Sequence, residues 1–445
     1  MAVTIGMISL GCAKNQVNSE QMLYLLRQAG YDIETQPETS DLVIINTCGF
    51  IESAKQEAVN TILTAAQWKA MGNVKRILVT GCLSQRYQEE ILREMPEVDG
   101  ILGTGNYADI VDSVERILAG ETVSRFSSVD DSRVDGVDRI LTTPEHYAYL
   151  KIAEGCDNHC AYCVIPDLRG RYRSRPMEEL TAQAKRMAEA GVRELIVVAQ
   201  DTSRYGIDLY GERRLADLLR QLCRIDDIHW IRVHYLYPDE MSDELIHVLA
   251  TEEKIVKYLD IPIQHVNDDI LRRMNRRGNR AYLEELFTKL RDQIPGLVLR
   301  TSLITGLPGE GEAEFRELCE FLKEFRLERV GAFAFSPEEG TKAAEMDYPD
   351  AAVAQSRAEI VCELQSRIMD AYNEERIGEV MEVLCDGYDT EREAYFGRTY
   401  ADSPEIDGKV WFTGQLPVKT GQFAQVLIDD VEDGELLGKI VEVNP

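Results

Sequence analysis

The sequence predicts an α/β protein in three parts: an N-terminal parallel α/β domain, a central partial (β/α) barrel, and a small C-terminal antiparallel β-barrel. Three observations predict it. To about residue 118, apolar runs of strand length alternate with helix-length amphipathic patterns, and from about residue 147 a second such series begins. Beyond about residue 376 only short alternating runs separated by turn residues remain. The 445 residues suit two to four domains, and 44% hydrophobic content is enough to build a core in each.

In the first series, VTIGMISLG, DLVIINT, RILVTG and GILGTG read as strands, with SEQMLYLLRQAG and ESAKQEAVNTILTAA as helices between them. Such alternation means a parallel sheet, here over residues 1–118. ETVSRFSSVDDSRVDGVDRIL carries Ser, Asp and Gly without helical period and reads as linker, 119–141. Over 142–375, YAYLKIAEG, ELIVVAQD, IHWIRVHYL, VKYLDIPIQ, LVLRTSLITG and RVGAFAFS read as strands divided by helix-length segments, giving six βα units of an incomplete barrel. Over 376–445, MEVLCDGY, YFGRTY, KVWFTG, FAQVLIDD and GKIVEV form the small β-barrel.

Charge narrows the partners. Asp plus Glu number 78 against 49 Lys plus Arg, a formal charge of -29 that repels polyanions and attracts basic partners. From Ile377 to Pro445 the count is fifteen acids against five bases, where a nucleic-acid-binding barrel needs cations along its groove. tRNA is therefore disfavoured as substrate. Two basic runs, RGRYRSRP and LRRMNRRGNR, argue the other way, and the plainer reading is that they pair with surrounding acids or lie solvated. No stretch approaches the roughly 18 apolar residues of a membrane span. The eleven uncharged residues before Cys12 lack the regions of a secretory signal, so a cytoplasmic protein is expected. Ten cysteines in a reducing compartment point to metal or catalysis more than to disulfides.

Cys12, Cys48 and Cys82 each follow a strand, in MISLGC, VIINTC and ILVTGC, at separations of one βα unit. Neighbouring strands lie roughly 4.8 Å apart, and open α/β sheets bind ligands outside the carboxyl ends of their strands. Three thiols thus reach one sheet edge, each beside a glycine (Gly11, Gly49, Gly81) that lets backbone approach a bulky object. A free cysteine is most often a small buried hydrophobe. Three in register favour ligands, and three thiolates with an open position suit an iron-sulfur cluster better than structural zinc.

A second trio lies in IAEGCDNHCAYCVIPDLRG, where Cys156, Cys160 and Cys163 share one loop after the first strand of the central series. The spacing is too tight for disulfides among all three, and soft thiolates select iron-sulfur or zinc. With no fourth cysteine nearby, a 4Fe-4S cubane keeps one iron free for an exogenous ligand. Loops following the strands are also where α/β barrels build their active sites.

This C-x3-C-x2-C segment, with Tyr162 before the third cysteine, resembles the radical S-adenosylmethionine superfamily. Two trios followed by a small β-barrel resemble its methylthiotransferases. SLGCAKNQVNSE, NTCGFIESAKQEA, VTGCL, RVHYLYPDE, YLDIPIQHVNDDILRRMNRR, TGLPGE and FSPEEGT resemble the branch that modifies small-subunit ribosomal protein S-twelve, over nearly the whole chain. The resemblance implies a TRAM domain of OB-like fold at the C-terminus, two 4Fe-4S clusters and S-adenosyl-L-methionine. It implies that the cluster on Cys156, Cys160 and Cys163 generates a 5'-deoxyadenosyl radical, while that on Cys12, Cys48 and Cys82 supplies sulfur. The target is the β-carbon of an aspartate in the basic ribosomal protein, and the electron comes from a low-potential donor such as flavodoxin or ferredoxin. No side chain performs such chemistry, so no catalytic residue is expected beyond the cluster ligands.

Tyr162 and the TGLPGE residues Gly306, Pro308, Gly309 and Glu310 are expected to hold the cofactor, although a Gly-Pro turn capping a helix explains the latter nearly as well. Gln200, Asp201, His234, Tyr235, Gln264 and His265 end other strands, with some lining the pocket and His265 read as structural. Cys223, Cys319 and Cys362 fall in helical patterns and Cys385 in a strand, so all four are expected in the core. Two functions stay open beside this one: a tRNA adenosine methylthiotransferase, and a non-enzymatic two-cluster electron carrier.

Overall fold

The computed structural model describes residues 3–131 and 133–443, so the predicted outer limits at 1 and 445 lie outside the described residues. The first sheet holds six parallel strands: β1 (Thr4–Ser9), β2 (Asp32–Glu34), β3 (Leu42–Thr47), β4 (Arg76–Gly81), β5 (Gly100–Leu102) and β6 (Val123–Arg125). Their order is β2-β1-β3-β4-β5-β6. Every residue of β3 is buried, because helices cover both faces and the strand lies in the middle of the sheet. The order reverses between β1 and β3, and a crevice at such a switch point is where doubly wound sheets bind ligands.

Two edge strands were not expected. β2 and β6 span three residues each, DIE and VSR, which carry charges and no apolar run. β6 lies within the stretch read as linker, and Val123 and Val134 pack into the first domain's core.

The central region opens with β7 (Tyr147–Lys151), followed by a short antiparallel pair, β8 (Ala153–Glu154) and β9 (Arg173–Ser174). Then come β10 (Glu194–Val198), β11 (Trp230–Val233), β12 (Ile255–Asp260), β13 (Val298–Thr305) and β14 (Arg329–Ala334). With β7 they form an open parallel sheet ordered β14-β13-β12-β11-β10-β7, the six expected strands of a partial barrel. One face packs on the helices through Ala148, Leu150, Leu195, Val197, Ile231 and Leu259. The opposite face is covered in part, over β7 and β10, by the first domain. Val17, from α1 (Ala13–Gln28) of the first domain, packs on Tyr147, Tyr149, Ile196 and Val198.

At the start of the middle strands, Trp230, Val256, Tyr258 and Val298 pack on Leu384, Ala401 and Phe423 of the C-terminal barrel. Its strands β15 (Val380–Asp389), β16 (Ala394–Arg398), β17 (Val410–Thr413), β18 (Phe423–Glu432) and β19 (Glu435–Val443) close in the order β15-β16-β17-β19-β18. The expectation of a wholly antiparallel barrel needs one correction: β17 and β19 pair in parallel, with Val410 opposite Leu436. A closed ring of five strands cannot alternate direction at every neighbour.

Charged groups fasten this barrel to the central sheet. Glu194, fully buried, accepts from Arg232 Nε at 2.8 Å and from Arg398 Nη1 at 2.5 Å, and Arg398 Nε reaches Asp386 at 2.8 Å. His146 lies 2.7 Å from Asp386, Arg329 pairs with Asp402 at 2.8 Å, and Tyr258 donates to Asp407 at 2.7 Å. Among the described residues no helix is long and apolar enough to cross a membrane.

Candidate cluster-binding site

Cys12 starts α1 after β1, Cys48 directly follows β3, and Cys82 opens the helix Cys82–Tyr87 after β4, so adjacent strands bring the three thiols to one edge. Their glycines serve a different closeness from the one expected. Gly11 has φ +84°, and a Cβ there would meet Cys48 Cβ at 2.7 Å. At Gly81, with φ +97°, a Cβ would meet Thr47 O at 2.4 Å. Both positions demand glycine because the thiol-bearing turns nest against one another.

The three thiols differ in setting. Cys12 is exposed, Cys48 partly buried and Cys82 buried. Crowding by the surrounding protein pushes the Cys12 thiol up, but the cations Lys14 and Arg169 outweigh it and hold it below its ordinary value. Burial and the neighbouring Cys82 push Cys48 up to about 11. Burial also raises Cys82, although Arg169 Nη2 lies 3.3 Å from its Sγ.

The second trio sits in the loop between β8 and β9. Cys156 N–H donates to Gly170 O at 3.1 Å, Cys163 N–H to Cys160 O at 3.0 Å, and Ile165 N–H to Cys163 Sγ at 3.4 Å. Asn158 Nδ2 donates to Asp201 Oδ2 at 2.7 Å, tying the loop to the end of β10. Cys160 Sγ lies 3.5 Å from Tyr237 Oη and 3.9 Å from Arg276 Nη1, whose guanidinium stacks 4.1 Å from the Tyr237 ring centroid. Burial pushes Cys156 up to about 12 and raises Cys163 further. Ligation removes these protons when metal binds.

Among the described residues, no three His, Cys, Asp or Glu side chains converge on a position for a single ion. A cubane places one thiolate on each of three separate irons, so three thiols along one sheet edge or within one loop fit a cluster.

The two trios lie together. Cys82 packs on Val164 and Leu168, in the segment directly after Cys163. Arg169, at the end of that segment and 3% exposed, donates to Asn18 Oδ1 at 2.7 Å and Asn15 Oδ1 at 2.8 Å as well as reaching Cys82. Its Nη1 is 3.4 Å from Glu154, which also takes Lys151 at 2.8 Å and Gln200 at 2.7 Å. Lys14 crosses from the first domain to lie 3.5 Å over the Tyr235 ring. Sequence reasoning missed Lys14, Glu154, Arg169 and Tyr237, and only the basic run containing Arg169 signalled any of them.

Of the expected cofactor residues, Tyr162 packs on Ala161, Ile270, Met274, Leu307 and Phe335 beside its trio. Gly306 lies against Ala354, Pro308 is buried and Gly309 is exposed. The Glu310 side chain is buried, its Oε1 accepts from Arg357 at 2.9 Å, and its Oε2 sits 3.4 Å from His265 Nε2 without a hydrogen bond. His234 Nε2 lies 3.1 Å from Ser403 Oγ, and burial holds its imidazole well below its ordinary pKa. The basic runs mostly pair internally: Arg173 with Asp130, Arg272 with Asp269, Arg277 with Asp239 and Glu240, Arg280 with Glu284. Among the other cysteines, Cys385 is buried, and Cys223 and Cys319 pack partly buried on the core. Cys362 corrects the expectation: it is exposed on the helix Ala351–Glu374, where the helical pattern alone did not show which face it takes.

Three family profiles match the chain: an uncharacterized protein family, UPF0004, over residues 4–103, the Radical SAM superfamily over 150–322, and the TRAM domain over 377–441. "Ribosomal protein uS12 methylthiotransferase RimO" of Lachnoclostridium phytofermentans is 48% identical over 97% of this chain and 98% of its own. The protein of the same name from Thermoanaerobacter sp. is 45% identical over 98% of this chain and 99% of its own. Among solved structures, the radical S-adenosylmethionine methyltransferase TsrM from Kitasatospora setae, with cobalamin and a [4Fe-4S] cluster bound, is similar in fold. Its TM-score is 0.57 at 13% identity, over 77% of each chain.

Proposed function

The chain belongs to the ribosomal protein uS12 methylthiotransferase RimO family, and from that premise we propose that it is a two-cluster enzyme methylthiolating the β-carbon of an aspartate in uS12. The observation that carries this reading is the meeting of the two cysteine trios through Val164, Leu168 and Arg169. In this reading Cys156, Cys160 and Cys163 hold one 4Fe-4S cluster and Cys12, Cys48 and Cys82 another. When bound, the first with S-adenosylmethionine supplies a 5'-deoxyadenosyl radical for hydrogen abstraction, and the second supplies sulfur.

The chain's own residues set the conditions. Ile165 N–H and Arg276 are donors beside the sulfurs of Cys163 and Cys160, and Arg169 beside that of Cys82. Val17, Tyr149, Ile196 and Val198 exclude water where the first domain covers β7 and β10. Tyr162, Gly306, Pro308 and Gly309 remain as cofactor contacts, with Glu310 positioning the turn through Arg357. Fifteen acids against five bases in residues 377–445 favour a basic protein over tRNA as partner. A low-potential donor such as flavodoxin or ferredoxin provides the electron, and a ribosomal substrate sets the enzyme in the cytoplasm.

Replacing Cys156 with Ala should abolish 5'-deoxyadenosine formation, whereas Cys48→Ala should leave cleavage partly intact and stop methylthiolation. Equal loss of both activities in both variants refutes the division of labour. Mass spectrometry of uS12 and tRNA from a deletion strain tests the substrate, and loss of a methylthio group on tRNA alone overturns it.

A further inference from the structure

Lys14 is a buried cation where the first domain meets the central sheet. Its side chain is 7% exposed, yet among the described residues no carboxylate is in ion-pair contact with its ammonium. Its close partner is the ring of Tyr235, 3.5 Å away. Two other cations in this region have carboxylate partners, Arg169 with Glu154 and Arg300 with Asp260 at 2.8 Å, whereas Arg276 faces the Cys160 sulfur and the Tyr237 ring of the other trio. Tyr235 and the Cys12 thiol act on Lys14 more strongly than Asp260, whose Oδ1 is taken by Arg300 and whose Oδ2 accepts from Tyr235 N–H at 3.3 Å, and a Cys12 thiolate spent on iron leaves the ammonium without a carboxylate. A buried charge without a full counter-ion costs several kcal/mol, so an ammonium with no carboxylate partner suits an anion that arrives.

The setting identifies the anion. Lys14 stands two residues after Cys12, at the start of α1, and reaches across to the end of β11 in the central sheet. Tyr235 holds a left-handed backbone, φ +60°, which a non-glycine residue adopts at a cost and which concentrates at functional positions. We infer that Lys14 is the anchor for the side-chain carboxylate of the substrate aspartate. This rests on the reading that the β-carbon of an aspartate is the target. In aspartate the β-carbon is bonded directly to the carboxyl carbon, so a fixed carboxylate leaves the reacting carbon one bond from the anchored group. Placing that anchor beside Cys12 brings the carbon to the thiols proposed to hold the sulfur-supplying cluster. Lys14 thereby also selects aspartate over a neutral residue of the same shape.

The test uses the full-length chain, both metal-free and reconstituted. The probes are two fluorescent synthetic peptides of the aspartate-bearing uS12 loop, one with the native Asp and one with Asn in its place. The unsubstituted chain should bind the Asp peptide at least about thirtyfold tighter, the discrimination expected of a buried charge pair. Lys14→Met should bind both peptides alike while keeping its iron content and its affinity for S-adenosylmethionine. Lys14→Gln serves as a second variant, and for both the circular dichroism spectrum confirms folding. Equal affinity of the unsubstituted chain for the two peptides overturns the inference, as does a preference that survives in Lys14→Met. Loss of S-adenosylmethionine binding in the variants assigns the ammonium to the cofactor's carboxylate, and loss of iron assigns it to cluster support; either overturns it. Failure of the unsubstituted chain to bind either peptide refutes the substrate reading itself.

Discussion

Replacing Arg398 with Met should loosen the C-terminal barrel from the central sheet by about 3–5 kcal/mol, the loss on removing one partner of a buried charge pair. Arg398 is 3% exposed and bonds two carboxylates, Glu194 at 2.5 Å and Asp386 at 2.8 and 3.0 Å. Without it, fully buried Glu194 keeps only Arg232, which offsets part of its charge. Asp386 keeps His146 and has an 18% exposed side chain, so water meets some of its loss and the two contributions do not add in full. Trp230 reports the docking, since its ring meets Phe423 of the barrel edge-on at a centroid distance of 4.9 Å. Urea titration of Trp230 fluorescence, in a background where Trp68 and Trp411 are Phe, should show the barrel separating at lower urea in the variant. A loss below about 1 kcal/mol, the worth of a surface pair, would refute the reasoning.

Three further outcomes follow from the same geometry. Acid should weaken this docking: Arg398 and Arg232 outweigh burial and hold Glu194 low, and His146 and Arg398 do so for Asp386. Both folded-state values lie below the unfolded ones, so the contribution is complete above about pH 5 and lost as pH falls; Trp230 fluorescence should show that fall, and Arg398→Met should flatten it. Gly11→Ala puts a Cβ 2.7 Å from Cys48 Cβ at φ +84°, and iron and sulfide analysis should find about half the cluster content lost with radical-cluster absorption intact. Arg169→Gln removes the cation shared by Cys82, Glu154, Asn15 and Asn18, and limited proteolysis between residues 119 and 141 should become several-fold faster.

Much of this architecture is legible because its signals are local. LVII opens β3 with an apolar run because the strand is covered on both sides, and the six strands of the central sheet appear as apolar-rich runs because one face packs on the helices. The cysteine trios are legible through register: a strand end recurs once per βα unit, so Cys12, Cys48 and Cys82 declare a common edge before any coordinates exist. Strands β2 and β6 escaped because DIE and VSR carry no apolar run, unlike the equally short GIL of β5. Cys362 escaped because a helical pattern gives spacing without saying which side of the helix a single cysteine takes.

The sequence by itself therefore determined the three-part α/β plan, the two sets of three thiols and the acidic character of the C-terminal barrel, all of which depend on composition and on spacing within one or two elements. Only the tertiary structure decided what those sets face. Lys14 meets Tyr235 across more than two hundred residues, Arg169 reaches Cys82, Asn15 and Asn18 from another domain, and the barrel seals one side of the central sheet through Arg398 and Glu194. These contacts join residues distant in the chain, and whether a buried charge is paired or left waiting for a ligand depends on neighbours that packing alone supplies.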